Sequence, residues 1–121
     1  MPNGFTAAGI QAGLKSSGKP DLALLLAPED AICAGTFTSS LVRAACIDLC
    51  QERLTTSQGK ARAVVINSGQ ANACTGERGL MDSLLVSKAV ADLLGIDASE
   101  VLVCSTGVIG VPIPIDNLLA S

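Results

Sequence analysis

The chain has 121 residues, of which 49% are hydrophobic, 2% aromatic and 16% charged, and its formal net charge is −3. This length is enough for one ordinary domain, whose core must be built from Ala, Leu, Val and Ile because the chain has two Phe and no Trp or Tyr. The eight Lys and Arg residues are scattered. This excludes the basic face that binding to nucleic acid or to a membrane surface requires.

Short extended segments separated by turns are predicted for the first part of the chain, because glycines punctuate it at positions 4, 9, 13 and 18. Two apolar runs, residues 22–27 and 32–37, flank Pro28-Glu29-Asp30 and predict a β-hairpin. The first run follows two lysines, as the apolar part of a signal peptide does. It is too short for one and is bounded by acidic residues, so we interpret it as a buried strand.

The middle of the chain predicts a helix, a strand and a second helix. Residues 42–54 have an ambiguous pattern and are interpreted as a strand that turns into a helix. The β-branched run 63–66 predicts a strand, and the small residues 67–79 predict a loop. An apolar stripe at helical spacing then predicts a helix, with Gly95 just past its end; the stripe consists of Leu80, Leu84, Ala91 and Leu94.

The last part of the chain contains the stretch EVLVCSTGVIGVPIP, residues 100–114. Its first apolar run predicts a buried strand that breaks at Ser105-Thr106-Gly107, and residues 114–116 open another helix. A buried hydroxyl without a partner costs about 1–3 kcal/mol, so the two hydroxyls require partners in the fold or outside it. A threonine hydroxyl and a glycine N–H at the end of a strand can converge on a developing negative oxygen. The structural alternative is a simple turn.

Five cysteines, an odd number, lie mostly in apolar runs and are interpreted as small core residues in a reducing cytoplasm. They are Cys33, Cys46, Cys50, Cys74 and Cys104. Cys46 and Cys50 are one helical turn apart, but the chain has no His and no second such pair. The sequence therefore predicts no metal site.

The small-residue loop 67–76 raises the possibility of a phosphate-binding loop, because it lies between a predicted strand and a predicted helix. Its glycine spacing fits neither a P-loop nor the dinucleotide pattern. A structural loop, in which Asn67, Asn72 and Thr75 bond their own backbone, is the favoured interpretation. The absence of His also excludes a Ser-His or Cys-His nucleophile pair, and no cofactor is indicated.

Five segments of the chain, in order, strongly resemble the N-terminal part of the ornithine acetyltransferase family, also called glutamate N-acetyltransferase. They are GFTAAGIQAGLK, DLALLLAP, AGTFTSSLVRAA, VINSGQANACTGERGL and EVLVCSTGVIGVPIP. The resemblance runs from about Gly4 to Asn117. Two residues depart from the family pattern: Gln70 stands where the family usually has Asn, and Cys46 stands where it usually has Pro.

The resemblance implies an α/β fold, the N-terminal part of an α-β-β-α layered N-terminal-nucleophile fold that we expect to be truncated. Residues 1–121 would form the N-terminal α-chain portion of a single acetyltransferase domain. Family members move the acetyl group of N-acetylornithine to glutamate in arginine biosynthesis, and some also accept acetyl-CoA. They cleave themselves before a threonine that then carries the acetyl group. Thr106 and Gly107 match the pair that forms the family's oxyanion hole.

The resemblance also implies a partner, because the family's threonine nucleophile and most of its substrate pocket lie downstream of the STGVIG segment. We expect a downstream β-chain of the same precursor in an α2β2-type assembly, a cytoplasmic location, and no activity of the 121 residues alone. No cofactor, nucleic acid or membrane is expected as a partner. Two alternatives stay open: a small-ligand or anion-binding α/β module that uses loop 67–76, and an inactive structural fragment.

Overall fold

A computed structural model describes all 121 residues and shows a four-stranded sheet with three α-helices. The elements in chain order are β1 (Thr6–Ile10), β2 (Leu22–Leu26), α1 (Ala45–Thr56), β3 (Ala63–Gln70), α2 (Gly76–Leu94), a 3₁₀ turn (Ala98–Glu100), β4 (Val101–Val108) and α3 (Ile115–Leu119). The expected α/β class is confirmed. None of the helices has the length and apolarity needed to cross a membrane.

The strands follow their chain order across the sheet, β1-β2-β3-β4, and β4 forms one edge. The pairs β1–β2 and β2–β3 are antiparallel, whereas β3 and β4 are parallel. A parallel pair needs a long crossover connection, and α2 provides it. The main core lies between α2 and the sheet, where Val86 and Ala91 pack with Val65, Val101 and Val103.

The predicted hairpin over Pro28-Glu29-Asp30 is wrong. The first of its strands exists as β2, but β2 pairs with β1 on one side and with β3 on the other. Both of its edges are therefore occupied, and none is left for residues 32–37. In that segment only Ile32 forms an isolated bridge, to Lys60.

The strands β3 and β4 continue beyond the ends predicted from sequence. The predicted strand 63–66 extends to Gln70, and β4 runs through Ser105-Thr106-Gly107 without a break. The two extensions pair with each other, from Asn67 opposite Ser105 to Gln70 opposite Val108. Hydroxyls and glycines usually indicate turns, but here each polar strand end is stabilised by the ladder that it forms with the other.

The helix α2 ends as predicted, with Gly95 in the left-handed conformation at φ 67°, but only half of the predicted apolar stripe reaches the core: Ala91 is buried and Leu94 packs against the core. Leu80 and Leu84 are 43% and 38% exposed. The side chains buried against the fold are mostly small or polar: Gly79, Asp82, Ser83, Val86, Ser87 and Ala91. Small residues let α2 approach its neighbours closely, and their hydroxyls find partners there. Ser87 Oγ, for example, accepts from Arg53 Nη2 at 3.0 Å.

The helix α1 lies along the outer edge of β4. Val108 O accepts from the N–H of Ala71, the residue after β3, so the backbone groups of the even-numbered residues of β4 bond β3 and those of the odd-numbered residues point outward. The thiol of Cys50 meets both the N–H and the C=O of Val103, at 3.3 Å each. One turn away on α1, Arg53 Nη1 donates to Val101 O.

A third residue of α1 completes this cover of the β4 edge. Cys46, one turn before Cys50, lies next to Ser105, and burial raises the pKa of its thiol while the backbone N–H of Ser105 partly offsets the rise. Residues 46, 50 and 53 of α1 thus contact residues 105, 103 and 101 of β4, respectively. An uncovered edge strand could pair with another chain, and α1 prevents this over most of β4.

The five cysteines are all free thiols and only some of them are core residues. Cys46 and Cys50 are buried, as predicted. Cys33 is partly buried and packs against the small core cluster that contains Cys50, whereas Cys74 and Cys104 are exposed, so for these two the core interpretation is wrong. Cys104 lies in an apolar run, but its strand position faces a side of the sheet that the chain covers incompletely.

The cover of the β4 edge predicts a loss of stability in Arg53→Met. This change keeps an apolar side chain but removes the donors to Val101 O and Ser87 Oγ. We expect the free energy of unfolding, measured in urea, to fall by about 1–3 kcal/mol because a buried carbonyl loses its partner. Arg43→Met is the control, since the exposed Arg43–Asp48 pair should contribute about 0–1 kcal/mol. Equal losses in both variants would contradict the role given to Arg53.

Candidate active site

The serine of the Ser105-Thr106-Gly107 segment is satisfied within the fold. Its Oγ donates to Asn67 Oδ1 at 2.6 Å, across the pair of strands that the register places side by side. Asn67 is 2% exposed, and its Nδ2 donates in turn to Gln70 O at 3.2 Å. Ser105 therefore has a structural role.

The hydroxyl of Thr106 differs from that of Ser105 because it is exposed and makes no hydrogen bond within the chain. Side chains alternate along a strand, so Thr106 lies on the face of the sheet opposite Ser105 and α2. Its backbone groups belong to the even-numbered set that bonds β3. The backbone of Thr106 is thus held by hydrogen bonds to β3, while its hydroxyl is available to donate a hydrogen bond to a ligand.

The N–H of Gly107 belongs to the odd-numbered set that points outward from the sheet edge. The cover by α1 reaches Ser105 through Cys46, and the helix begins only one residue earlier, at Ala45. Gly107 is exposed. Its N–H is therefore the first outward-pointing group of β4 that no side chain of α1 covers, and it lies next to the available hydroxyl of Thr106.

Two glycines in register, Gly69 and Gly107, bring β3 and β4 unusually close at this point. Their φ angles are +141° and +130°, which L side chains rarely adopt. A Cβ atom on Gly107 would lie 2.3 Å from both the C and the O of Gly69, and one on Gly69 would lie 3.1 Å from Leu14 O. The backbone of the loop 11–15, β3 and β4 therefore stack in direct contact.

The loop 11–15 is held by the carboxylate of Asp21, which sequence reasoning missed. Oδ1 accepts from Ala12 N at 2.7 Å, and Oδ2 accepts from Leu14 N and Lys15 N at 2.7 and 2.9 Å. Burial by itself would raise the pKa of Asp21, but these N–H donors and the charge of Lys15 outweigh it and hold the pKa below its ordinary 3.8. In the sequence, Asp21 is distinguished only as the acidic residue before an apolar run.

The segment 71–76 that joins β3 to α2 has its polar side chains engaged in starting the helix. Asn72, which is 1% exposed, donates to Gly79 O at 2.9 Å and to Ser83 Oγ at 2.8 Å. Its Oδ1 accepts from Thr75 Oγ1 at 2.9 Å. A Cβ on Gly79 would lie 2.2 Å from that Thr75 oxygen, so the contact requires glycine. These bonds favour the structural interpretation of the loop over anion binding.

A cavity of about 420 Å³ opens between the N-terminal ends of α1 and α2. Two carboxylates, Asp48 and Glu77, line it beside Arg43, which is itself paired with Asp48. Neither Thr106 nor Gly107 is among its lining residues. The available hydroxyl and N–H thus lie at an exposed strand end, outside this cavity. No group of three or more metal-ligating side chains occurs either.

The sequence profile of the ArgJ family matches residues 6–121. The chain belongs to the ArgJ family. Two curated relatives illustrate how closely it follows the family: the arginine biosynthesis bifunctional protein ArgJ of Parasynechococcus marenigrum is 69% identical over 119 residues, and that of Prochlorococcus marinus strain MIT 9313 is 71% identical over 119 residues. Each match covers 98% of this chain but only 29% and 28% of the relatives' length.

Solved ArgJ structures have the same fold. The ornithine acetyltransferase of Mycobacterium tuberculosis, solved in complex with ornithine, superposes with a TM-score of 0.92 at 47% identity and matches 98% of this chain and 64% of that one. The ArgJ protein of Bacillus halodurans gives a TM-score of 0.91 at 39% identity, with 98% and 61% covered. The expectation that the chain forms part of the N-terminal-nucleophile fold of this family is therefore confirmed.

The contact between the two glycines predicts that Gly107→Ala is more destabilising than an alanine at another glycine of positive φ. Gly110 is the matched control, since its φ is +77° and a Cβ there would meet nothing within 4 Å. Gly110→Ala should cost about 1–2 kcal/mol of backbone strain. Gly107→Ala should cost about 1–3 kcal/mol more because β3 and β4 must separate. Urea denaturation of both variants measures the difference, and equal stabilities would show that the strands do not touch there.

Proposed function

We propose that the chain supplies the oxyanion hole of a glutamate N-acetyltransferase of arginine biosynthesis that acts in the cytoplasm. The observation that carries the proposal is the pair formed by the Thr106 hydroxyl and the Gly107 N–H. They are adjacent, both residues are exposed, and they lie at the end of a strand whose outward-pointing groups at Val101 and Val103 are bonded by α1. Membership of the ArgJ family supports the reaction class.

The two donors would act while negative charge develops on the acetyl group. A threonine Oγ outside these residues attacks the acetyl carbon of N-acetylornithine, and the carbonyl oxygen becomes an oxyanion. Thr106 and Gly107 stabilise it; the C–N bond then breaks as the amine takes up a proton, and ornithine leaves. The amine of glutamate attacks the acetyl-threonine ester in the same way, which forms N-acetylglutamate and restores the threonine. Acetyl-CoA would enter by the same route, with its thiol as the leaving group.

Preorganised donors of this kind are the principal contribution that the chain can make to catalysis. They cost no reorganisation at the moment of reaction, because Thr106 is fixed by the β3 ladder and Gly107 by its contact with Gly69. Since Thr106 and Gly107 line none of the five main cavities of the chain, we propose that the rest of the substrate is bound by other residues. We propose that these belong to a downstream β-chain of the same precursor, formed by autocatalytic cleavage, in an α2β2-type assembly.

A small-ligand module is the second candidate, and the cavity between α1 and α2 favours it. Its acidic lining opposes an anionic ligand, because only Arg43 balances Asp48 and Glu77. The polar atoms of Asn72 that line it are already bonded. The oxyanion-hole proposal is preferred because the Thr106 hydroxyl makes no hydrogen bond within the chain and the Gly107 N–H points outward from the sheet edge.

The proposal predicts a large loss of turnover in Thr106→Val, which keeps the shape of the side chain but removes the hydroxyl. The assay uses a chimera in which this chain replaces its matching segment in the Parasynechococcus marenigrum relative. Turnover of acetyl transfer from N-acetylornithine to glutamate should fall about 10²–10³-fold, or roughly 2.7–4 kcal/mol of transition-state stabilisation. The KM for N-acetylornithine should change little, because the donor acts mainly when charge develops.

Two controls accompany this measurement. Thr6→Val makes the same change at an exposed strand position in β1 and should leave turnover unchanged. The 121-residue chain alone should transfer no acetyl groups, because none of its Ser, Thr or Cys residues has a neighbouring base of a recognised kind. A Thr106→Val chimera that melts at a lower temperature but turns over at the parent rate would remove Thr106 from the site.

A further inference from the structure

A continuous set of contacts links the buried carboxylate of Asp21 to the proposed oxyanion hole. Asp21 is 3% exposed, and its two oxygens accept three N–H bonds from the loop 11–15. The same residue also bonds the sheet through its backbone: its N–H donates to Ile10 O at 3.0 Å, and its C=O accepts from Ser68 N at 2.8 Å. Ser68 is the register partner of Thr106.

The loop reaches Gly107 through Leu14. Leu14 O lies against Gly69, where an added Cβ would come within 3.1 Å of it, and Gly69 in turn lies against Gly107. A second tether holds the same carbonyl, because Gln70 Nε2 donates to Leu14 O at 3.1 Å. The loop is therefore fixed from one side by Asp21 and from the other by Gln70, with Gly69 beneath it.

We propose that Asp21 is a positioning residue for acetyl transfer: by fixing the loop 11–15 against Gly69 it sets the position of the Gly107 N–H at the reacting oxygen. This rests on the proposed function. Asp21 touches neither the substrate nor the reacting atoms. It acts through one hydrogen bond from Leu14 N–H and then through two close backbone approaches, of Leu14 to Gly69 and of Gly69 to Gly107, that glycines make possible.

The chemistry of the cluster requires a carboxylate at position 21. Three N–H groups converge on it, and an ionised carboxylate offers only acceptors to them. An asparagine would turn an NH₂ group toward at least one of these donors. The loop would then shift, and displacements of about 1 Å near reacting groups can lower turnover about 10²-fold.

The first test concerns position and needs no activity. In the 121-residue chain, Asp21→Asn should move the backbone amide NMR signals of Gly69 and Gly107. Asp97→Asn is the matched control, because Asp97 also accepts a backbone N–H and has a lowered pKa, but it caps the 3₁₀ turn before β4. It should leave both signals in place. If the Gly107 signal of a folded Asp21→Asn chain coincides with that of the parent, the proposal is overturned.

The second test concerns catalysis and uses the same chimera as the Thr106 experiment. Asp21→Asn should lower kcat per folded molecule by about 10-fold to 10²-fold with little change in KM, and Asp97→Asn should change neither. A purely structural role would lower the melting temperature and leave kcat per folded molecule intact, which overturns the proposal. If Asp21→Asn does not fold, Gln70→Ala decides, because it removes the second tether of Leu14 at a half-buried position. An unchanged kcat per folded molecule in Gln70→Ala would likewise overturn the proposal.

Failure of the proposed function is recognised separately in these experiments. An inactive parent chimera, or an active one in which Thr106→Val has no effect, contradicts the oxyanion hole itself. The NMR comparison then still shows whether Asp21 sets the position of Gly107. An active chimera that responds to Thr106→Val but not to Asp21→Asn or Gln70→Ala contradicts only the positioning role.

Discussion

The hydrogen bonds between α1 and the outer edge of β4 determine where this fold can meet a ligand. An edge strand presents an unpaired N–H or C=O group at every second residue, and in β4 the helix supplies partners for them at three successive positions. Four residues along a helix advance about 6 Å and two residues along a strand about 6.6 Å, so the two elements stay in step for only a few turns. The cover stops where α1 begins. Beyond that point the alternation along β4 directs the backbone N–H of Gly107 away from β3, and α1 has no residue there to meet it, although the strand itself continues.

An uncovered edge position can pair with a strand of another chain, and here the local geometry limits that risk. The positive φ angles of Gly69 and Gly107 bend both strands where they touch, and β4 ends one residue later, at Val108. Another strand could therefore form only a few backbone hydrogen bonds with this edge. Natural sequences accept such local departures at functional sites, and the available hydroxyl of the adjacent Thr106 is a second indication of a functional site here.

Much of the fold could be predicted from residue patterns, but the errors share one cause. The strands β2, β3 and the start of β4 follow from their apolar runs, and the end of α2 follows from Gly95. Residues 32–37 look like a strand too, yet both edges of β2, their predicted hairpin partner, are occupied by β1 and β3. The Leu80 and Leu84 stripe looks like a core face, yet the helix buries Ser83 and Ser87 because their hydroxyls have partners in Asn72 and Arg53. Each error concerns a residue whose environment is set by a distant segment.

For the candidate site, too, some residues could be predicted from the sequence and others could not. Thr106 and Gly107 could be selected from sequence because a hydroxyl and a glycine stand in an apolar run, and the family resemblance gave them a role. The difference between Ser105 and Thr106 could not be predicted, since it depends on Asn67, 38 residues away in sequence from Ser105. Asp21 gives no signal beyond its place before an apolar run, because its partners are backbone N–H groups that every residue except proline carries.

Amide hydrogen exchange of the 121-residue chain tests the central claim most directly. Val103 N–H is buried and meets the Cys50 thiol, so it should exchange slowly and close to the rate set by global unfolding. Gly107 N–H points outward without a partner, and it should exchange nearly as fast as an amide in an unstructured peptide. If Gly107 N–H is protected to the same degree as Val103 N–H, it already has a partner within the fold. It could then not serve as an oxyanion donor.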